Sequence, residues 1–398
     1  MSNGNGRNGN GRNGKGKKEW LTLYQEYTSA QESPSMFHLW VGISVLASTL
    51  SRNCFINRGY YTLYPNLYVV LVGASAIVRK STAIHIGEGV MVDAFGEELP
   101  LVSQKITLEA FTSLLAARYK QKGMSEAVLI SDEFSVFLGE SMDSGKMMGL
   151  LTKLYDCPNV FDYHTIARGR EMGHKACCNM LAGTTPMWLA GSMPSSAVGG
   201  GFTSRVVFVY QYQPERRVAF PCLTPQQAKV REEMVERLRE MKKMEGEFLL
   251  SDDAREWYEE WYCEVFHPEK AEASLDGYYG RKHDTLLKLG MVYSASRGGS
   301  REVDEVDLMQ SLKTLNENEK YLPEVMRSIQ CNVVGEDRGK VIRAIHRRKE
   351  ASYTELLRNL SYCLDAKRLN EILGGLIEEG EVEEEVKEGK RYFKGKGR

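Results

Sequence analysis

Four short apolar runs constrain this chain most. They are Asn66–Val72 (NLYVVLV), Ala127–Ser131 (AVLIS), Asn179–Gly183 (NMLAG) and Val206–Tyr210 (VVFVY). A strand with one wet face alternates apolar and polar residues, whereas an uninterrupted run fits a strand covered on both faces. The stretches between the runs carry helical patterning, from about Thr82 and again over 107–120. Strands alternating with helices predict an α/β core built on a parallel sheet.

The 398 residues are enough for two or three domains, and an apolar share of 42% allows sizeable cores. A net charge of −1 gives no global field toward nucleic acid or membrane, so any nucleic-acid contact has to come from a local patch. The eight cysteines form no CxxC pair, which argues against a zinc site or a secreted disulfide framework. No apolar run reaches the ~18 residues of a membrane span and no signal peptide is visible. A soluble, cytoplasmic protein with no membrane partner is expected.

The rest of the chain divides by composition. Residues 1–18 are rich in Gly and Asn, with five basic and no acidic residues, the signature of a disordered basic tail. Residues 19–60 read as a helical N-terminal region, with Trp20, Leu21, Tyr24 and Tyr27 on one stripe. Residues 61–223 hold the four runs. From 224 to 335 the pattern is helical, with Pro225 near one helix start and Ser251-Asp252-Asp253 suited to capping another. Residues 336–398 show three short helical patterns and two candidate strands, the winged-helix pattern.

The ends of the runs carry the chemistry. Hydrolysis of a nucleoside triphosphate needs a backbone nest for phosphates, a lysine, a Mg²⁺ ligand and a group to activate water. Gly73–Thr82 (GASAIVRKST) lies between a strand and a helix, where phosphates bind a helix N-terminus. Gly73, Ser75, Arg79, Lys80, Ser81 and Thr82 are the candidate contacts to ATP, with Ser81 also on Mg²⁺. The usual GxxxxGK[ST] loop has glycine where Arg79 stands, and one residue fewer before its lysine. Ala74 and Ala76 depart from it too. A strand–loop–helix junction capped by hydroxyl residues would show the same composition.

Asp132 and Glu133 end the AVLIS run, at the edge where α/β ligands bind. Asp132 is read as a Mg²⁺ residue and Glu133 as the group that polarises the attacking water. Thr185, in LAGTTP, could orient that water, or simply belong to a turn before proline. Arg205 precedes the fourth run and suits an arginine supplied to a neighbouring subunit's nucleotide, or a surface ion pair. Arg281 opens a later helix and is a candidate for the γ-phosphate, with Lys282 and His283 as alternatives beside it.

In that order (Lys80-Ser81, ISDEF, LAGTTP, TSRVV, Arg281, winged helix) the chain resembles the AAA+ core of minichromosome maintenance helicases. Over roughly 20–330 it is similar to helicase-like ATPases of phages and integrated mobile elements, found beside or fused to primases. These share Pro65–Tyr68, the Arg-Lys-Ser-Thr loop and the Gly-Phe-Thr-Ser-Arg segment. The resemblance implies an α/β fold: an AAA+ P-loop NTPase core with a small helical N-terminal region, a helical lid and a C-terminal winged helix. It implies a homo-oligomeric ring, a hexamer, that uses ATP and Mg²⁺ to move on single-stranded DNA in phage or mobile-element replication, with a primase or other replication protein as partner. It also directs attention to Val160–Ile166 and Glu171–Asn179 as arms of a pore hairpin, with Arg168, Arg170 and Lys175 on phosphates. Two other readings stay open: a loader or remodelling ATPase that does not unwind, and a winged-helix DNA-binding regulator whose ATP fold is vestigial.

Overall fold

A computed structural model describes residues 18–103, 105–138, 141–165, 169–192, 201–268, 276–298, 301–348, 350–361, 364–387 and 389–395. All four apolar runs are strands of one five-stranded parallel sheet. Its order is Leu101–Ser103, Glu126–Ser131, Cys177–Thr184, Tyr68–Val72, Val206–Tyr210. The fifth strand, Leu101–Ser103, is three residues long and carries too little pattern to be read from sequence.

Both faces of the sheet are covered, which is why the runs do not alternate. Val69, Leu71, Val128, Ile130, Leu181, Val207 and Val209 face one apolar core. Tyr68, Val70, Val72, Ala127, Leu129, Met180, Val206 and Phe208 face another.

The first core joins regions that composition had separated. Trp20 and Phe37 of the N-terminal helices, Ile84 of helix Lys80–Phe95, and Met234, Leu286 and Leu308 of three later helices all belong to it. The Trp20 indole donates to the Met234 carbonyl at 3.0 Å, and the Leu21 amide to Ser296 Oγ at 2.9 Å. The helices Pro225–Met241, Asp276–Arg297 and Glu305–Glu319 therefore share one core with the sheet and the N-terminal helices.

The expected helical region 19–60 stops short. Helix Ser35–Leu50 ends before a strand, Cys54–Asn57, which pairs antiparallel with Thr62–Leu63 and parallel with Gly246–Glu247. The expected boundary at 335/336 falls inside one continuous helix, Leu322–Arg348. Its last turns begin the C-terminal module, which has its own core around Ile345, Leu356, Leu373 and Phe393. The module adds helices Tyr353–Leu360 and Ala366–Glu378 and a three-stranded sheet in the order Ala351–Ser352, Lys390–Gly395, Val382–Lys387. Among the described residues no helix is long and apolar enough to cross a membrane.

Candidate functional site

One group of side chains sits where the strands end. The chain leaves strand Tyr68–Val72 through a loop that closes tightly on itself. A Cβ on Gly73 would stand 2.5 Å from Val78 Cγ2 and 2.6 Å from the Gln211 carbonyl oxygen, so only glycine fits. Val78 is fully buried beneath the loop, while Ser75 and Ile77 are exposed on it. Helix Lys80–Phe95 then begins two residues earlier than its sequence pattern suggests, putting Lys80, Ser81 and Thr82 in its first turn.

Arg79, standing where the usual loop has glycine, adopts the left-handed conformation, φ 49° and ψ 42°. Its side chain turns to Glu32 at 2.9 Å, and Ser33 Oγ donates to its carbonyl at 3.0 Å. Arg79 thus reaches out to the N-terminal segment, and its side chain gives the helix N-terminus no cap.

Lys80 is 7% exposed. Its ammonium donates to the carbonyls of Gly73 at 2.7 Å and Ala74 at 3.3 Å. Burial pushes its pKa below the ordinary lysine value, opposed by the nearby Glu133 carboxylate. A buried cation held only by neutral carbonyls, beside uncapped amides of a helix start, is a setting for an anion.

The acidic pair lies two strands away. Asp132 and Glu133 follow Ser131, and the Cys177–Thr184 strand separates them from the loop strand. A Cβ on Gly183 would sit 2.6 Å from the Asp132 carbonyl, so this middle strand passes directly under the acidic turn. Asp132 Oδ2 pairs with His85 Nε2 at 2.8 Å, and its Oδ1 is buried with no partner among the described residues. His85 escaped the sequence reading. Its signal was spacing, since a residue four beyond Ser81 lies on the same helix face. Glu133 Oε1 accepts from Ser135 Oγ at 3.2 Å.

Thr185 is occupied. Its Oγ1 accepts from the Trp188 amide at 3.2 Å and caps the short helix Pro186–Ser192. The neighbouring Thr184 is fully buried with an unpartnered Oγ1, and its carbonyl accepts from the Gly73 amide at 3.2 Å.

A second group lies at the opposite edge of the sheet. Val206 pairs with Tyr68 and Tyr210 with Val72, so Arg205 stands about 17 Å from the loop edge, five strand steps away. Arg205 is 11% exposed in its side chain. It donates through Nη1 to the Gly201 carbonyl at 2.9 Å and through Nη2 to Asp156 Oδ2 at 2.7 Å, while Nε is buried with no partner among the described residues.

Arg281 joins Arg205 and not Lys80. Its Nη1 lies 3.5 Å from the other oxygen of Asp156. The helix Asp276–Arg297 starts against Ser204, whose Cβ would be 3.0 Å from a Cβ on Gly277. The residue read as a γ-phosphate contact thus lies at the far edge from this chain's own phosphate loop. Asp156, which holds both arginines, had no motif to announce it. A cleft of about 300 Å³ opens beside them, lined by Tyr61, Tyr155, Asp156, Arg281 and Lys288 among others.

The expected hairpin exists with shifted bounds. Val160–Thr165 and Gly169–His174 pair antiparallel, from Val160 opposite His174 to Thr165 opposite Gly169. The residues after His174 leave it to form the central strand, where the sequence pattern had extended the arm to Asn179. Arg168 lies outside the described residues. Arg170 is in the second arm opposite His164, and Lys175 is exposed just beyond it with φ 50°.

No family model matches the chain, and no curated protein matches it. Geometry and chemistry therefore carry the reading. The loop edge fits a nucleoside triphosphate with Mg²⁺: a tight backbone nest, a buried lysine, two hydroxyls in a helix's first turn, and an orphaned carboxylate oxygen on Asp132.

Proposed function

We propose that this chain is a subunit of an AAA+ ATPase of the helicase type, a ring that binds ATP between copies and moves on DNA. One observation carries the proposal. Lys80, Ser81, Asp132 and Glu133 gather at one edge of the sheet, and Arg205 and Arg281 gather at the other. A chain with this layout cannot bring its own arginines to its own loop, but a second copy packed edge to edge can.

In this reading Lys80 exchanges the carbonyls of Gly73 and Ala74 for the β- and γ-phosphates. The amides of the loop and of the helix start hold the remaining phosphate oxygens. Ser81 and Asp132 would hold Mg²⁺, which supplies charge neutralisation across the phosphates when bound. Glu133 aligns and polarises the attacking water. The neighbour's Arg205 meets the charge that develops on the transferred phosphoryl group. Arg170 in the second arm and Lys175 just beyond it would bear on the nucleic-acid backbone. The Thr185 role proposed from sequence competes with its capping bond to the Trp188 amide.

The test is a mixing experiment. Arg205→Ala should lower ATP turnover by about 10³-fold or more, the scale of a lost arginine finger, while nucleotide affinity stays within a few fold. Glu133→Gln should be equally inactive. Mixing the two inactive proteins should restore part of the turnover, because mixed rings contain intact Glu133–Arg205 pairs. Loss of nucleotide binding in Arg205→Ala, or no rescue on mixing, would sink the shared-site reading. A strand-displacement assay then separates a helicase from a loader or remodelling ATPase.

A further inference from the structure

The C-terminal module has two charged faces, and they differ. On the face formed by helix Ala366–Glu378 and the hairpin Val382–Gly395, three cations are matched by carboxylates, while the exposed Lys367 and Lys390 make no ion pair among the described residues. Arg368 pairs with Glu371 at 3.2 Å, Lys387 with Glu350 at 2.6 Å and with Glu385 at 3.1 Å, and Arg391 with Glu384. Asn370 is engaged with the Tyr353 hydroxyl at 2.9 Å and with Arg391 at 2.9 Å. Glu383, Glu384 and Glu385 line the strand beside it, all exposed.

The other face is basic. The end of helix Leu322–Arg348 and helix Tyr353–Leu360 enclose a groove of about 440 Å³ lined by Lys340, Arg343, Arg347 and Arg348, with Ala344, Asn359 and Leu360 completing it. Lys340 pairs with Asp337 at 3.2 Å, and Arg348 with Glu355 at 3.1 Å. Arg343 and Arg347 are exposed and make no ion pair among the described residues. Basic residues in a last helical turn complement the helix dipole, which accounts for Arg347 and Arg348. That effect fades within one turn, so it does not account for Lys340 and Arg343.

We propose that this groove binds the phosphate backbone of nucleic acid, and that the module engages nucleic acid through it and not through helix Ala366–Glu378. Lys340, Arg343 and Arg347 follow at three- and four-residue spacing, so they form one stripe. The stripe runs about 10 Å along the helix, the rise of about three nucleotides of one DNA strand. Two guanidinium forks without carboxylate partners suit phosphate oxygens, which they can grip in pairs. No base-reading side chain is needed, so binding is independent of sequence.

The experiment uses the full chain without nucleotide, and mixed-sequence fluorescent single- and double-stranded oligodeoxynucleotides. Polarisation is measured over a salt series. The double variant Arg343→Gln/Arg347→Gln should weaken binding about tenfold or more on every sequence tried, and should lower the salt slope by about 2, one unit per lost phosphate contact. Lys367→Gln/Arg368→Gln should stay within about twofold of the parent. Circular-dichroism melting of both variants checks the fold, and a Lys340→Gln variant repeats the test if the double variant fails to fold. An unchanged slope in the groove variants, or an equal loss in the Lys367/Arg368 variant, overturns the proposal. A parent protein that binds neither oligonucleotide also overturns it, and leaves the groove to an acidic protein surface.

Discussion

Arg79 holds a backbone conformation that side-chain-bearing residues seldom adopt, and the usual phosphate loop puts glycine at this same point of its pattern. The requirement is thus in the backbone, and this chain meets it with arginine. Two anchors from the N-terminal segment hold the residue there, the Glu32 carboxylate and the Ser33 hydroxyl. Arg79→Gly removes the steric cost of the left-handed backbone, about 1 kcal/mol, and loses a half-exposed ion pair worth at most about the same. Stability by urea denaturation should therefore change by less than about 1 kcal/mol, and ATP affinity by less than about threefold. A collapse of ATP affinity in this variant would show that the guanidinium leaves Glu32 for phosphate, the contact its place in the sequence suggests.

At the scale of elements, the helix Glu305–Glu319 carries a built-in pH dependence. Asp307 closes its capping box with Asp304 and pairs with Arg297 at 2.6 Å. Burial nevertheless raises its pKa from 3.8 to about 6. Between about pH 4 and pH 6 the folded chain keeps a proton that the unfolded chain has released, so this group weakens folding as pH rises through that window. The gap of about two pKa units corresponds to about 3 kcal/mol. Asp307→Asn should flatten the stability profile between pH 4 and pH 6, measured by urea denaturation at each pH; an unchanged slope would place the proton elsewhere. The elements themselves were unevenly legible in sequence. Runs covered on both faces, such as Tyr68–Val72, announce themselves through composition. Leu101–Ser103 does not, because three residues carry no period. The helix through residue 335 hid because its two ends serve different cores, Leu322 one and Val341 and Ile345 another. Among site residues, Lys80 and the Asp132-Glu133 pair follow from local sequence order. His85 and Asp156 depend on contacts across the fold, and Arg281 was legible as a residue but not as a place, since only the topology says which edge it occupies.

For the molecule as a whole, Asp156 keeps the two arginines occupied while no partner is present. One carboxylate, half exposed, binds Arg205 and Arg281 at once. In the proposed ring a neighbour's triphosphate would have to displace it. Asp156→Asn removes the competing charge, a contribution of about 1 kcal/mol for a partly exposed pair. The protein concentration giving half-maximal ATPase activity should fall about fivefold, with the activity per complete site unchanged. A rise in that concentration would mean that Asp156 builds the interface instead of competing for it.

The strand Cys177–Thr184 lies between the loop strand and the acidic strand, and it serves as a spacer. Two strand spacings set the loop and the acidic turn about 10 Å apart. Adjacent strands would leave about 5 Å, and the lysine and the carboxylates would close on each other as a salt bridge. The wider gap has room for a terminal phosphate with a water molecule behind it. In the proposed site the width of one strand would thus keep the charges apart until a nucleotide fills the space between them.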